Sequence, residues 1–295
     1  MKENLHSAKA MYRFISEQIY QKRMDIYTQE EAQEMAMMLM EHFVGQTRTD
    51  IILDKQLQSC IKTENLLQAA LDRIANYEPI QYVIGEAYFY GRAFYVTPSV
   101  LVPRRETEEL THLIIHQYKG QEHLKILDVG TGSGCIAITL QQEIAGARTF
   151  ALDNSQEALA VAKANAIRYH ADVQWWLEDI MNFSAPEGDF DMVVSNPPYV
   201  LKTEAKAIKE NVLGYEPHAA LFVSDEQPLI FYDKIAQLCK NQNLLKKGGK
   251  LFFEINEAYG TATVKLLQHH GFFDISLQQD MQGKDRFLVA KKKTS

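Results

Sequence analysis

The residues best placed to do chemistry stand at the end of one apolar run, Asp191-Met-Val-Val-Ser-Asn-Pro-Pro-Tyr199. The run reads as a buried strand, and the carboxyl ends of strands are where open α/β sheets hold their ligands. The two prolines after Asn196 remove two backbone donors, and the first keeps Asn196 extended. What remains is a row of acceptors, the Asn196 side-chain oxygen and the backbone carbonyls of Pro197 and Pro198, with the Tyr199 ring offering a flat face for stacking. Such a cradle suits a planar amide or amino group. The plainer alternative is a turn that only ends a strand, and what favours the cradle is a loop upstream in the same expected sheet.

That loop follows the strand Lys125-Ile-Leu-Asp-Val-Gly130 and opens a helix from Cys135 to about Ile144. Its residues, Gly130, Thr131, Gly132, Ser133 and Gly134, alternate glycine with small polar side chains, which lets the backbone turn tightly and approach a ligand. A second strand, Thr149 to Asp153, ends in an acid about twenty residues past the first glycine, the separation at which a carboxylate accepts ribose hydroxyls. A third, Val173 to Asp179, delivers Asp179 as an acceptor for an adenine amino group and the Ile180 N–H as a donor to the ring. The glycine spacing is neither that of a dinucleotide fingerprint nor, without a lysine, that of a triphosphate loop, so S-adenosylmethionine is the expected cofactor. Asp128 is placed to orient the loop or to meet the cofactor's ammonium group, unless it only caps the turn. Three strand–helix units are expected between the loop and Asn196, which borders the same cofactor.

The remaining chain must position these two segments. Residues 1–76 read as helices: Thr28-Gln-Glu-Glu31 is a capping box before Ala32, Met35, Ala36, Leu39 and Met40, and Thr63 is expected to cap a helix bearing Leu66, Leu67, Ala70, Leu71 and Ile74. Met35, Met37, Met38 and Met40 are assigned to the core of this bundle rather than to an adaptable binding face. Residues 77–102 read as a β-hairpin linker, with Gly91-Arg92 between Tyr88-Phe-Tyr90 and Phe94-Tyr-Val96. Residues 103–295 form the α/β domain, beginning with a helix whose first turn carries Glu106 and Glu108. A strand from Phe190 to Ser195, another from Gly249 to Ile255 and a closing pair, Phe272 to Gln279 and Arg286 to Ala290, complete a largely parallel sheet with one antiparallel strand.

Composition bounds the function. The 295 residues are 46% apolar, ample for two domains, and the net charge of -7 does not advertise a grip on a phosphate backbone. Acids also outnumber bases within residues 1–76, so no nucleic-acid arm is expected. Cys60, Cys135 and Cys239 form no metal or redox spacing and are expected as buried reduced thiols; no metal site is expected, and the thiols fit a cytoplasmic protein. Met1-Lys-Glu-Asn-Leu-His6 lacks a signal peptide's apolar core, no run reaches bilayer length, and Lys291-Lys292-Lys293 reads as a solvated tail.

Asp128-Val-Gly-Thr-Gly-Ser-Gly134, Asp153 and Asn196-Pro-Pro-Tyr199 resemble class I methyltransferases that act on planar amide or amino nitrogens. With Glu78-Pro-Ile-Gln-Tyr82, Gly85, Val102-Pro-Arg-Arg-Glu-Thr-Glu108 and Tyr215-Glu-Pro217, the resemblance narrows to the bacterial peptide chain release factor glutamine methyltransferases, the PrmC/HemK family, over essentially the whole chain. It implies a Rossmann-like seven-stranded sheet, a small all-helical N-terminal domain that holds the protein substrate, and methylation of the glutamine in the Gly-Gly-Gln motif of release factors. Two departures are visible: Arg105 stands where the family usually has a second proline, and Asn256 stands where Glu-Ile-Gly is usual. Both are expected beside the cofactor pocket.

The chemistry expected is positional, because no His or Cys sits in the motif to deprotonate an amide. Asn196 and Pro197 accept the two amide hydrogens, Tyr199 shapes the slot, and the nitrogen lone pair faces the methyl carbon. Methylation of a ribosomal-protein glutamine would use the same cradle. A DNA adenine methyltransferase would flip its base into it, which the acidic balance disfavours, and a non-catalytic binding module would not need both segments intact. His218 is expected at the surface or in packing rather than at the substrate mouth, and a monomer is expected.

Overall fold

The computed structural model describes residues 6–57 and 60–293, so the reading of Met1–Leu5 lies outside it. Two compact units are present: the first comprises Met1–Gly85 with Ala207–Tyr215, the second Glu86–Lys206 with Glu216–Ser295.

The first unit is built from the helices α1 (Ala8–Arg23), α2 (Gln29–Leu39), α3 (Arg48–Ile52), α4 (Ile61–Ala75) and α5 (Ile80–Ile84). Thr28 caps α2 through a full capping box with Glu31, worth about 1 kcal/mol. Ile15, Ile19, Leu39, Met40, Leu67 and Leu71 close on one another as its core, which also takes in Met35 and Met37. Several local expectations are corrected. Helix α4 begins at Ile61 with Cys60 as its N-cap residue, so Thr63 lies inside the first turn instead of capping it. Leu66 is on the outer face, and Cys60 is exposed while Cys135 and Cys239 are buried. Residues 80–84, expected in the hairpin linker, make the helix α5, where four of five side chains are apolar and buried.

The second unit opens with the hairpin β1 (Glu86–Phe89) and β2 (Arg92–Tyr95). Its two-residue loop puts Tyr90 and Gly91 at φ +50° and +72°, the conformation whose twist matches paired strands. After helix α6 (Arg105–Gln117) come β3 (Lys125–Val129), α7 (Cys135–Glu143), β4 (Arg148–Asp153), α8 (Gln156–Arg168), β5 (Val173–Leu177) and β6 (Phe190–Ser195). A short pair β7 (Val200–Leu201) and β8 (Phe222–Val223) flanks the brief helices α9 (Glu210–Leu213), which falls in the 207–215 stretch of the first unit, and α10 (His218–Leu221). The chain finishes with α11 (Ile230–Asn241), β9 (Leu245–Glu254), α12 (Gly260–His269), β10 (Phe272–Gln279) and β11 (Asp285–Lys292).

Seven strands form one sheet in the order β10-β11-β9-β6-β3-β4-β5. Strand β11 runs antiparallel to both neighbours and the rest are parallel, which matches the expected single antiparallel strand. Successive side chains alternate faces. Ile126, Met192, Val194 and Phe252 pack with Leu110 and Ile114 of α6 and Ile136, Ile138 and Leu140 of α7. Leu127, Val193, Leu251 and Phe253 face Tyr232, Ile235 and Leu238 of α11. The expected third helical crossover before Asn196 does not form: between β5 and β6 the chain makes turns only. Asn196 is nonetheless next to the glycine loop, because β6 pairs directly with β3. Among the described residues no helix is long and apolar enough to cross a membrane.

Candidate active site

Strands β6, β3, β4 and β5 are consecutive and parallel, so their carboxyl ends form one edge. The residues leaving them, Val129–Ser133, Leu152–Ser155, Glu178–Ile180 and Ser195–Pro198, line a single cavity of about 240 Å³. Ser99–Leu101, Pro103, Arg104, Thr107, Pro217, Ala219, Ala220, Phe231 and Ile235 line the same cavity.

On the cofactor side the backbone sets the shape. Gly130 and Gly132 have φ of +75° and +54°, and a Cβ on either would meet nothing within 4 Å, so it is conformation and not crowding that requires glycine there. At Gly134 both apply: φ is +80° and a Cβ would lie 3.0 Å from Ile138 Cδ1 and 3.2 Å from Ala162 Cβ. The Gly130 and Thr131 N–H groups donate to the Leu152 carbonyl, and the Gly132 N–H donates to Asp153 Oδ2 at 2.9 Å. Asp153 Oδ1 accepts from the Ser155 N–H at 3.0 Å, which leaves each carboxylate oxygen one more lone pair. Burial raises the Asp153 pKa above the usual carboxylate range, against the lowering effect of these bonds. Asp179 lines the cavity with Ile180 and takes the Met181 N–H on Oδ1 at 2.9 Å. An open apolar cleft with ribose-type acceptors at one carboxylate fits S-adenosylmethionine.

Asp128 sits just before the loop. It is fully buried beneath the loop, outside the cavity lining, and accepts the Thr131 hydroxyl on Oδ2 at 2.7 Å. Burial pushes its carboxyl up to about 7, tempered by the bonds from Thr131 and the Ala137 N–H. The bond to Thr131 is that of a residue orienting the loop, one of the two roles expected of Asp128, and Gly134 likewise lies outside the lining.

On the acceptor side buried side chains set the shape. Asn196 Nδ2 donates to Thr107 Oγ1 at 3.0 Å, and that hydroxyl donates to Glu254 Oε2 at 2.6 Å. The Tyr199 hydroxyl donates to Glu254 Oε1 at 3.0 Å. Glu254 is wholly buried at the end of β9, which raises its pKa; Thr107, Tyr199 and the nearby Arg286 charge act the other way. Tyr199 accordingly does not line the cavity. It is partly buried with its hydroxyl tied to Glu254, and burial raises its pKa too, so it meets the Asn196–Pro198 lining through the backbone rather than through its ring.

The two departures also take different places from those expected. Arg105 is exposed and lines a separate open groove with Glu108, His112 and Gln279. Asn256 is buried behind the acceptor segment, where Nδ2 donates to the Tyr199 carbonyl and to Glu204 Oε2, each at 3.2 Å. Arg104 forms a 2.6 Å ion pair with buried Glu216, joining the Val102-Pro-Arg motif to the Glu-Pro217 motif at the cavity wall. The His218 ring packs edge-on against Phe222, outside the lining. Glu178 and Phe231 line the cavity with no local pattern to single them out. Thr107 and Glu254 both lie in motifs visible in the sequence, but nothing local joins residues so far apart.

The model of the PrmC N-terminal domain matches residues 24–85, and that of the methyltransferase small domain matches residues 98–215. The chain is 41% identical to a release factor glutamine methyltransferase of Bacteroides thetaiotaomicron, over 94% of this chain and 99% of the relative. The chain belongs to the release factor glutamine methyltransferase family. A second member, from Flavobacterium psychrophilum, is 40% identical over 92% of this chain and 95% of its own length. A solved methyltransferase structure from Pyrococcus furiosus, 17% identical, shares the fold with a TM-score of 0.50 over 77% of this chain and 99% of that one. The fold is that of class I S-adenosylmethionine-dependent methyltransferases, and membership of the glutamine methyltransferase family makes the protein an enzyme of that class.

Proposed function

We propose that this protein transfers a methyl group from S-adenosylmethionine to the side-chain amide nitrogen of the glutamine in the Gly-Gly-Gln motif of peptide chain release factors. The observation that carries the reading is that Gly130–Ser133 and Asn196–Pro198 line one cavity, so a cofactor on the loop and an amide in the cradle share a space.

When bound, S-adenosylmethionine supplies an electrophilic methyl carbon on a sulfonium. Gly130, Thr131, Gly132 and Ser133 hold it by backbone approach, with Asp153 at the ribose and Asp179 and Ile180 at the adenine. A glutamine amide nitrogen is a poor nucleophile because its lone pair is delocalised into the carbonyl. Cys135 reaches the cavity but offers no thiolate base, since burial pushes its thiol up to about 12. Asn196 Oδ1 and the Pro197 carbonyl instead accept the two amide hydrogens, withdrawing positive character from the nitrogen and aiming its lone pair. Pro198 fixes the backbone, and Asn196, Pro197 and Tyr199 hold the catalytic geometry together.

The helical domain, read as residues 1–76 and joined to the methyltransferase domain through the linker to 102, is the proposed docking element for the release factor. The substrate is then a protein rather than nucleic acid or membrane, and the enzyme works as a cytoplasmic monomer. Labelled cofactor offered separately with a release factor, a ribosomal protein and DNA tests the reading: label is expected in the release factor at glutamine. Label in either other substrate and not in the release factor would overturn it.

A further inference from the structure

A hydroxyl has a single proton to give. The Thr107 proton goes to Glu254 Oε2 across 2.6 Å, so towards Asn196, 3.0 Å away, Oγ1 presents only lone pairs. The amide of Asn196 can satisfy a lone pair only with its NH2 end. Its Oδ1 end is thereby assigned to the other side. A reversed hydrogen bond at Glu254 would reverse the whole chain: Thr107 would donate to Oδ1, and Asn196 would offer NH2 to a substrate that itself arrives as NH2.

We propose that ionised Glu254, acting through the Thr107 hydroxyl, is the group that dictates which end of the Asn196 amide meets the substrate. Thr107 and Glu254 are thus positioning residues for methyl transfer. This rests on the reading of Asn196 as the acceptor of the substrate amide. Glu254 is placed for the task. It is fully buried, and its second oxygen is held by the Tyr199 hydroxyl at 3.0 Å, so the carboxylate cannot rotate without losing both partners. Thr107 is itself 4% exposed and anchored in α6, with the Thr111 hydroxyl donating to its carbonyl at 2.9 Å.

The groups facing Glu254 are Thr107 and Glu106 from α6, Tyr199 from the acceptor segment and Arg286 from β11. Tyr232 from α11 donates to its backbone carbonyl at 3.1 Å. Burial and, far less, Glu106 raise its pKa, whereas Thr107, Tyr199 and Arg286 favour the charge. Turnover should therefore fall as pH drops through the Glu254 pKa, at a pH above that of an ordinary glutamate.

The test compares Thr107→Val, Thr107→Ser and Glu254→Gln with wild type, measuring kcat on a release factor, cofactor affinity by titration, and kcat against pH. Thr107→Val is expected to lower kcat about 100-fold with cofactor affinity unchanged, since a misdirected reacting group costs on that order. Thr107→Ser restores most of it, because the hydroxyl returns. Glu254→Gln loses the acidic limb of the profile, having no proton to take up. In an Asn196→Ala background Thr107→Val should cost nothing further, as the relay then has no end to direct. Wild-type kcat in Thr107→Val, equal losses in the Val and Ser variants, or an unchanged acidic limb in Glu254→Gln would each overturn the relay. Were Thr107→Val not to fold, the Ser variant and the Glu254→Gln profile decide it alone. Full turnover by Asn196→Ala would instead remove the acceptor reading beneath it, which separates the two failures.

Discussion

The two walls of the cavity are made by different means. The cofactor wall is local: three glycines at positive φ, one N–H bonded to Asp153 and two to Leu152, all within 25 residues of chain. The acceptor wall is distant in sequence. Asn196 owes its orientation to Thr107, 89 residues before it, and Tyr199 is tied to Glu254, 55 residues after it. A backbone loop keeps its shape wherever the strand–turn–helix forms, whereas a buried side-chain relay exists only once strands β6 and β9 and helix α6 have packed. The first should fail by losing affinity, the second by losing rate.

The contrast is broken most directly at Asn196. Asn196→Ala should bind S-adenosylmethionine normally and lose turnover by about 100- to 1,000-fold, as when one aligned polar group is removed from a transition state. A matching loss of cofactor affinity in a titration would show that the two walls are not separate. Asp153→Asn is the reverse case: cofactor affinity should weaken by about tenfold, the worth of a charge-assisted hydrogen bond, with kcat at saturation nearly kept.

Asp128 sharpens the comparison through stability. Its carboxyl titrates near 7 in the folded protein against an ordinary 3.8, so between those values the native state holds a proton that the unfolded chain gives up. Stability must then decline as pH rises through that window, with Asp153 and Glu254 contributing in the same sense. Melting temperatures of the cofactor-free protein should be higher near pH 5 than near pH 7.5, and Asp128→Asn should flatten the slope. A wild-type slope in the variant would assign the effect elsewhere. The smallest effect belongs to Tyr199→Phe. Glu254 keeps Thr107 and loses one hydrogen bond worth about 1 kcal/mol, so kcat should drop severalfold while cofactor affinity stays unchanged.

What the sequence made legible follows the same division. The strands from Lys125, Thr149, Val173 and Phe190, the glycine loop and the acceptor tetrad all announce themselves by local pattern, and the structure brings them to one edge. The features that escaped depend on partners far along the chain. The Tyr199 hydroxyl turns to Glu254, and Asn256 grips the Tyr199 carbonyl instead of the cofactor pocket. Residues 80–84 carry β-branched side chains yet form a helix, because all but Gln81 are buried. The missing crossover before β6 has the same lesson: strand adjacency, not the count of helices between, puts Asn196 beside Gly130.

Residues 207–215 belong to the helical unit although they follow β6 and β7 in the chain. There Lys209 Nζ reaches the Ile26 carbonyl at 3.0 Å, and the Tyr215 hydroxyl donates to the Asn76 carbonyl. As the nascent polypeptide leaves the ribosome, the first 85 residues must therefore wait, one piece short, until four strands of the large sheet have been translated behind them. A truncation at Gly85 would deliver an unfinished bundle, and the late-arriving piece ties maturation of the amino-terminal unit to that of the catalytic loop synthesised just before it.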